Sequence, residues 1–291
     1  MKDRYLTRPM LEDLKDRRMV FIGGPRQVGK TTLTRALLAN HFSHVAYYNW
    51  DNQGDRKTLL RSEWPGDADL LILDELHKFH KWKNYIKGEY DKHKDRFSIV
   101  LTGSSRLDVF RKGGDSLQGR YHYYRLHPFT LAELNRHTAA CLPFAEPVMV
   151  PASPGATLNT LERFGGFPEP FIKQSERFTR RWHNEKLDRL FREDIRDTTI
   201  IHDLSSMRLL SGMLPERVGS LLSTNALRED LNVSFRTVAR WLDVLETFYY
   251  HFRVYPFVSK SVRSLKKEPK LYLWDWSEVR DEGSRFENML A

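Results

Sequence analysis

The sequence has few of the features that mark secreted or membrane proteins. A single cysteine, Cys141, excludes a disulfide within the 291-residue chain and a metal site built from clustered cysteines. No apolar run approaches the roughly 20 residues that cross a bilayer, and the first residues form no apolar signal-peptide core. We therefore expect a cytoplasmic protein without a membrane partner.

The bulk composition predicts a folded, basic protein. Hydrophobic residues make up 40% of the chain, which suffices for a sizeable core and argues against a disordered tail. The 47 Lys and Arg residues exceed the 38 Asp and Glu residues, which gives a formal net charge of +9. This charge permits a nucleic-acid partner but does not require one.

A glycine-rich phosphate loop is the most informative feature that is present. Residues 24–31 match the pattern G-x-x-x-x-G-K-[ST], with an apolar stretch at 19–22 before them and a helical pattern after them. This strand–loop–helix context is the one in which the pattern binds phosphate, and a chance glycine turn is the alternative. The expected nucleotide-binding residues are Gly24, Pro25, Arg26, Gln27, Val28, Gly29, Lys30, Thr31 and Thr32.

The chemistry of the loop follows from its residue types. Gly24 and Gly29 let the backbone curl so that its amides point at phosphate oxygens, and the start of the next helix adds positive potential. Lys30 is expected to reach the β- and γ-phosphates, and the Thr31 hydroxyl is expected to ligate Mg²⁺. The loop alone predicts nucleotide binding but not hydrolysis.

A second apolar run supplies the acids that hydrolysis needs. Residues 70–73 are all Leu or Ile and lead into Asp74 and Glu75, a pattern typical of a parallel strand buried on both faces. The carboxyl end of such a strand lies beside the phosphate loop. Asp74 is therefore expected to hold Mg²⁺, and Glu75 to orient and deprotonate the attacking water. The alternative is an acid pair that starts the next helix.

Two further positions are weaker catalytic candidates. A third strand at 97–102 leads into Gly103 and Ser104, where a hydroxyl can sense the γ-phosphate; an ordinary glycine–serine turn is the alternative. Arg120 follows Gly119 and can stabilise charge on a neighbouring subunit's nucleotide. A solvated surface arginine is the alternative, and the residues alone do not decide between the two.

The second half of the chain has a different pattern. Residues 160–203 read as helices broken at 165–168, and residues 204–275 read as three helices followed by two strand-like runs. The runs flank a basic loop at 259–270, and the arrangement resembles a winged helix-turn-helix. The third helix is expected to bury one stripe of side chains: Phe235, Val238, Leu242, Leu245 and Tyr249.

Such a domain has two expected uses. In the first, the third helix enters the DNA major groove and the basic loop binds phosphate. In the second, the domain contacts only protein or braces the nucleotide-binding core. The third helix has two outward arginines, Arg236 and Arg240, offset by Asp243 and Glu246, so any DNA contact is expected mainly through phosphate.

Together these segments resemble a family of bacterial and archaeal ATPases of the AAA+ superfamily. In that family an ATPase core is followed by a winged helix and a restriction-endonuclease-like C-terminal region of unknown function. The resemblance rests on residues 23–31, 71–78, 101–105, 119–120, 126–134, 165–170, 269–272 and 286–288. It implies ATP and Mg²⁺ as cofactors and allows a homo-oligomer. It places Lys30, Thr31, Asp74 and Glu75 in the Walker roles, Ser104 as the first sensor and Arg120 as a candidate arginine finger.

The resemblance also implies a domain order for an α/β chain. We expect a P-loop NTPase core of the AAA+ type, with a parallel sheet, at 1–135, a small helical lid at 136–203 and a winged helix domain at 204–275. Residues 276–291 are expected to begin a truncated C-terminal region, because the chain ends where the family's nuclease-like region opens, and we expect no nuclease activity. No second-sensor arginine is found in the lid.

The predicted function is Mg²⁺-dependent binding and hydrolysis of ATP, with ADP as the product ligand. Turnover is expected to be coupled to the winged helix domain. Two alternatives stay open at this point: a nucleotide-dependent protein-interaction switch, and a DNA-binding module that uses ATP only as a structural ligand.

Overall fold

The computed structural model describes residues 4–103, 117–135, 155–196, 201, 203–257 and 267–291. The chain divides into two compact units. The first comprises residues 1–127 and 132–150, and the second comprises residues 128–131 and 151–291.

A five-stranded parallel sheet forms the centre of the first unit. Its spatial order is β2-β3-β4-β1-β5, and every neighbouring pair is parallel. The strands are β1 (Met19–Gly23), β2 (Val45–Asn49), β3 (Leu70–Asp74), β4 (Ser98–Thr102) and β5 (Tyr121–Arg125). Strands β1 and β3 are buried at every position, as their continuous apolar sequences predict for a sheet covered on both faces. The expected α/β class and parallel sheet are therefore confirmed.

Five α-helices accompany this sheet in the part of the chain that the structure describes. Asn52 caps the helix that begins at Gln53, because its side chain accepts hydrogen bonds from the backbone amides of Gly54 and Asp55. The helix after the phosphate loop begins at Lys30 and widens into a π-type turn over Leu33–Leu38. The helices are α1 (Thr7–Lys15), α2 (Lys30–Thr32), α3 (Gln53–Arg61), α4 (Trp82–His93) and α5 (Leu131–Leu134).

The second unit is helical with one small sheet. Strands β6 (His251–Val254) and β7 (Lys270–Leu273) pair antiparallel. The helices are α6 (Gly155–Phe164), α7 (Pro168–Lys173), α8 (Glu176–Arg189), α9 (Leu204–Met213), α10 (Thr224–Leu231), α11 (Phe235–Thr247) and α12 (Glu282–Leu290). In the part of the chain that the structure describes, no helix is long and apolar enough to cross a bilayer.

Helix α11 buries most of the expected stripe. Val238, Leu242 and Leu245 are buried on α11, whereas Phe235 is 51% exposed, so its predicted burial is wrong. Tyr249 is buried too, but it lies beyond the end of α11 at Thr247, with a φ of +58°, so its predicted place on the helix is also wrong. Phe235 is the first residue of α11, and helical side chains point back toward the N-terminus. It therefore projects past the packed face, whereas Trp241 fills the core instead.

The break predicted at 165–168 separates α6 from α7 and packs closely against another segment of the same unit. Gly165 has a φ of +77°, and a Cβ there would lie 2.7 Å from Asp275 Oδ1. A Cβ on Gly166 would lie 2.6 Å from the Phe129 carbonyl oxygen. Glycine is needed at both positions because any side chain would displace these neighbours.

A buried ion cluster lies next to this turn. Lys186 Nζ is 2.8 Å from Asp275 Oδ2 and 2.8 Å from Glu278 Oε1. The same ammonium lies 4.7 Å from the Phe167 ring centroid and 5.0 Å from that of Trp182. The side chain of Asp275 is only 2% exposed. One lysine thus pairs with a buried carboxylate, Asp275, and with a partly buried one, Glu278.

The cluster shifts the pKa of both partners away from the ordinary values. Burial by itself would lower the pKa of Lys186, but Asp275 and Glu278 outweigh it and raise that pKa. Burial would likewise raise the pKa of Asp275, yet the nearby Lys186 and His183 hold it well below its usual range. Both shifts favour the charged pair in the folded protein.

We predict that Lys186→Ala lowers the free energy of unfolding by about 3–5 kcal/mol, because it leaves buried carboxylates without their cation. Urea unfolding followed by tryptophan fluorescence measures the change. The exposed Lys173 is the control, and Lys173→Ala should change stability by less than about 0.5 kcal/mol.

The loss of stability in Lys186→Ala should depend on pH. The Asp275 contribution is present above the unfolded pKa of about 4 and is lost as pH falls below it, whereas the Lys186 contribution is lost as pH rises above about 10. The gap between the wild type and Lys186→Ala should therefore be widest between those limits. An equal gap at about pH 3 and pH 7 would contradict this account.

Candidate nucleotide-binding site

The phosphate loop leaves the sheet at the carboxyl end of β1. Gly24 and Gly29 take φ values of +143° and +98°, conformations that residues with side chains rarely adopt. A Cβ on Gly24 would also lie 2.5 Å from the Leu126 carbonyl oxygen. The loop therefore needs glycine at Gly24 both for its backbone conformation and for its close contact with the chain after β5.

Lys30 is held inside the loop that it follows. Its Nζ donates hydrogen bonds to the carbonyl oxygens of Gly24, at 2.9 Å, and Pro25, at 2.7 Å. The residue is buried, whereas Thr31 and Thr32 are exposed. An ammonium group buried against backbone carbonyls at a strand's carboxyl end is well placed to meet a phosphate oxygen.

Asp74 accepts hydrogen bonds from three hydroxyl groups, each on a different helix or strand. Its Oδ2 accepts hydrogen bonds from Thr31 Oγ1 at 3.0 Å and from the Tyr47 hydroxyl at 2.7 Å. Its Oδ1 accepts a hydrogen bond from Thr102 Oγ1. No motif of the sequence assigns a role to Tyr47 or Thr102, although Thr102 is the register partner of Asp74 in β4.

The Thr31–Asp74 pair fits a magnesium ion. Neighbouring oxygens around an octahedral Mg²⁺ with bonds of about 2.0–2.1 Å lie about 2.8–3.0 Å apart. The 3.0 Å between Thr31 Oγ1 and Asp74 Oδ2 matches this separation. A hydroxyl and a carboxylate are also the oxygen donors that Mg²⁺ takes in phosphate-loop sites.

Glu75 follows directly at the end of β3, in a left-handed conformation with a φ of +57°. Its Oε2 lies 3.5 Å from Lys78 Nζ and 3.6 Å from His77 Nε2. Burial raises the pKa of its carboxyl group, although Lys78 and Lys30 oppose the shift. A single 3₁₀ turn, Leu76–Lys78, follows Glu75 directly without a capping hydrogen bond from its side chain, and the next α-helix begins at Trp82.

The structure does not bring Arg120 to the phosphate loop of its own chain. The Met19 amide donates to the Arg120 carbonyl at 2.9 Å, which places Arg120 at the amino ends of β1 and β5. The loop begins at the other end of β1. Gly23 lies four residues after Met19 along this strand, a distance of about 13 Å. The guanidinium binds Asp91 through two hydrogen bonds of 2.8 and 3.2 Å. Ser104 lies outside the described residues.

Arg4 is a further residue that the sequence analysis missed. It is buried, and its guanidinium donates to the carbonyl oxygens of Val28 and His127 and pairs with Glu133 at 2.8 Å. Arg4 therefore ties the phosphate loop to the chain after β5. A single arginine outside any motif carries no signal of this role in the sequence.

Two basic residues near or within the loop expected to contact DNA are paired with acids. Arg253 donates to Glu246 Oε2 at 2.8 Å and to Asp243 Oδ1 at 2.7 Å, and Lys270 lies 2.9 Å from Glu287 Oε1. These ion pairs reduce the positive charge left for phosphate. Most of the loop at 259–270 lies outside the described residues, which resume at Lys267.

Comparison with known proteins supports the core assignment. Residues 16–135 match a family model described as an AAA domain, and residues 156–278 match a domain of unknown function. The first match and the parallel five-stranded sheet support a P-loop NTPase core of the AAA+ superfamily.

Curated relatives extend over most of the chain at low identity. An uncharacterized protein of Mycobacterium tuberculosis is 22% identical over 259 residues, which cover 88% of this chain and 54% of that protein. One of Methanocaldococcus jannaschii is 22% identical over 309 residues, covering 99% of this chain and 69% of its own length. The chain thus spans about half the length of the mycobacterial relative.

A solved RuvB variant of Thermotoga maritima is also similar, with 21% identity and a TM-score of 0.38, over 90% of this chain and 93% of that one. A structural similarity this low says nothing about what the chain does.

We predict that Gly24→Ala displaces the phosphate loop and destabilises the protein by about 1–3 kcal/mol, because the backbone conformation and the Leu126 contact both oppose a side chain. Gly66→Ala is the matched control, since nothing lies within 4 Å of the added Cβ. Thermal and urea unfolding of both variants measure the difference. Equal unfolding midpoints for the two variants would contradict the prediction.

Proposed function

We propose that the first unit is a Mg²⁺-dependent site that binds and hydrolyses ATP. The observation that carries the proposal is the placement of Lys30, Thr31 and Asp74 together at the carboxyl edge of the parallel sheet. Ligands of open α/β sheets bind at this edge. ATP, rather than another nucleotide, rests on the family resemblance and the AAA domain match.

The proposed roles follow from the geometry. The loop amides and Lys30 balance the charge of the β- and γ-phosphates, and Thr31 and Asp74 hold the cation. Bound magnesium would neutralise charge on the phosphate oxygens. Glu75 accepts a proton from the water whose oxygen bonds to the γ-phosphorus, while the bond to the β–γ bridging oxygen breaks. A pKa raised by burial makes Glu75 a stronger base near neutral pH.

Two substitutions separate binding from chemistry. Lys30→Ala should weaken ATP binding by about tenfold or more, because it removes the buried ammonium that the carbonyl oxygens of Gly24 and Pro25 hold inside the loop. Glu75→Gln should keep ATP affinity and reduce turnover by 100-fold or more, since an amide cannot accept the proton. Calorimetry with Mg²⁺ and a phosphate-release assay measure the two effects.

The outcome also distinguishes the alternatives. Wild-type protein that binds no nucleotide would overturn the proposal. Binding without turnover favours the protein-interaction switch, and turnover that rises with duplex DNA at low salt favours coupling to DNA. DNA binding that persists unchanged in Glu75→Gln and does not affect turnover favours a DNA-binding module with ATP as a structural ligand.

We also propose that Arg120 acts on the nucleotide of a second copy of the chain. Its place at the amino edge of the sheet keeps it away from its own phosphate loop, and its side chain is 30% exposed. A guanidinium supplied by a neighbour stabilises charge in phosphoryl transfer. The site would then be complete only in an oligomer.

Mixing two inactive variants tests this role. Arg120→Ala and Glu75→Gln should each lack turnover, and an equal mixture should regain part of it, because one interface then combines an intact Glu75 with an intact Arg120. Each variant alone at the same total concentration is the control. Wild-type turnover in Arg120→Ala alone would remove Arg120 from the mechanism.

For the second unit we propose a helical lid before residue 204 and a winged helix domain at 204–275. Helices α9, α10 and α11 followed by the β6–β7 pair support this order of elements. Phosphate contacts to DNA would come from Arg236, which is exposed at the start of α11, and from the basic residues between β6 and β7. Arg253 and Lys270 are paired with Asp243 and Glu287, so they contribute less positive charge to such contacts.

A further inference from the structure

Tyr47 is a residue in the candidate site to which neither the phosphate-loop motif nor the Asp74–Glu75 strand assigns a role. Strand β2 pairs with β3 in parallel, with Tyr47 opposite Ile72 and Asn49 opposite Asp74. The long side chain of Tyr47 reaches diagonally along this pairing to Asp74. Its hydroxyl donates to Asp74 Oδ2 at 2.7 Å, the same oxygen that accepts the Thr31 hydroxyl.

The position of this hydroxyl is well fixed. Five successive register pairs hold β2 against β3. The Arg35 guanidinium lies 4.6 Å from the centroid of the Tyr47 ring, a cation–π contact that restrains the ring. A phenolic hydroxyl, with an ordinary pKa of about 10, is a donor at neutral pH.

The hydrogen bonds of Asp74 show what this donor does. A carboxylate offers about four lone-pair positions, and hydroxyls of Thr31, Tyr47 and Thr102 occupy three of them. When Thr31 turns its oxygen to a cation, Tyr47 still holds Oδ2 and Thr102 still holds Oδ1. The carboxylate then keeps its orientation, with a free lone pair of Oδ2 on the side of Thr31.

We propose that Tyr47 is a positioning residue that orients Asp74 for the divalent cation of the nucleotide site. The inference rests on the proposed nucleotide function and adds a residue to it. Mg²⁺ demands near-ideal octahedral geometry, whereas Ca²⁺ accepts flexible coordination. A carboxylate freed from Tyr47 should therefore lose Mg²⁺ more than Ca²⁺.

The test compares Tyr47→Phe with Tyr48→Phe. Tyr48 is the next residue of β2 and packs edge-on against Trp64, 5.4 Å between ring centroids, so it is a matched control for loss of a hydroxyl. Calorimetry with a non-hydrolysable ATP analogue measures affinity in EDTA, in saturating Mg²⁺ and in saturating Ca²⁺. The ratio of the affinities with and without each cation reports cation coupling without any turnover.

In Tyr47→Phe the Mg²⁺ ratio should fall by about 10- to 100-fold, the usual effect of losing a partner of a metal ligand. The Ca²⁺ ratio should fall less, and the affinity in EDTA should equal that of the wild type. Tyr48→Phe should leave all three affinities unchanged.

The possible failures are distinct. A wild type whose affinity does not respond to Mg²⁺ contradicts the proposed cation site itself. A wild type that responds, together with a Tyr47→Phe variant that responds equally, overturns only the role of Tyr47. Affinity lost in EDTA as well as in Mg²⁺ would also overturn it, because Tyr47 would then support the fold of the loop rather than the cation.

Discussion

The hydrogen bonding of one buried carboxylate organises the first unit. Asp74 is 5% exposed at the end of a strand whose other residues are all apolar. A charge in such a place is unfavourable unless donors surround it. Its three donors come from the helix after the phosphate loop, from β2 and from β4. Asp74 therefore connects the two strands that flank β3 with the helix that follows the phosphate loop.

The second unit stabilises buried carboxylates in the opposite way. Asp275 and Glu278 share the ammonium of Lys186, so the positive charge is part of the protein. The three donors of Asp74 are neutral hydroxyls, which hydrogen-bond the carboxylate without adding a positive charge. His183, Asp275 and Glu278 have donor atoms close enough to hold a metal ion. Lys186 already supplies a positive charge there, 2.8 Å from both Asp275 and Glu278.

The sequence predicted the residues of the site better than their contacts. The loop at 24–31 and the acids after the 70–73 run are local patterns, and each lies at a strand's carboxyl end as expected. The contacts of Tyr47 and Thr102 depend on β2 and β4 flanking β3, which no local pattern specifies. The pairing of Lys186 with Asp275 joins positions 89 residues apart. The net charge of the chain likewise does not reveal that Arg253 and Lys270 pair with acids nearby.

The fold holds Glu75, the proposed base, in a strained backbone conformation. A non-glycine residue at a φ of +57° carries backbone strain of about 1–3 kcal/mol, which persists only where the surroundings enforce it. Here the Glu75 amide donates to the Thr102 carbonyl at 3.0 Å, so β4 holds the strained residue. The same strand supplies a hydroxyl to Asp74. Strand β4 thus orients Asp74 and fixes the turn that carries Glu75, and any shift of this strand would move the proposed cation ligand and the proposed base together.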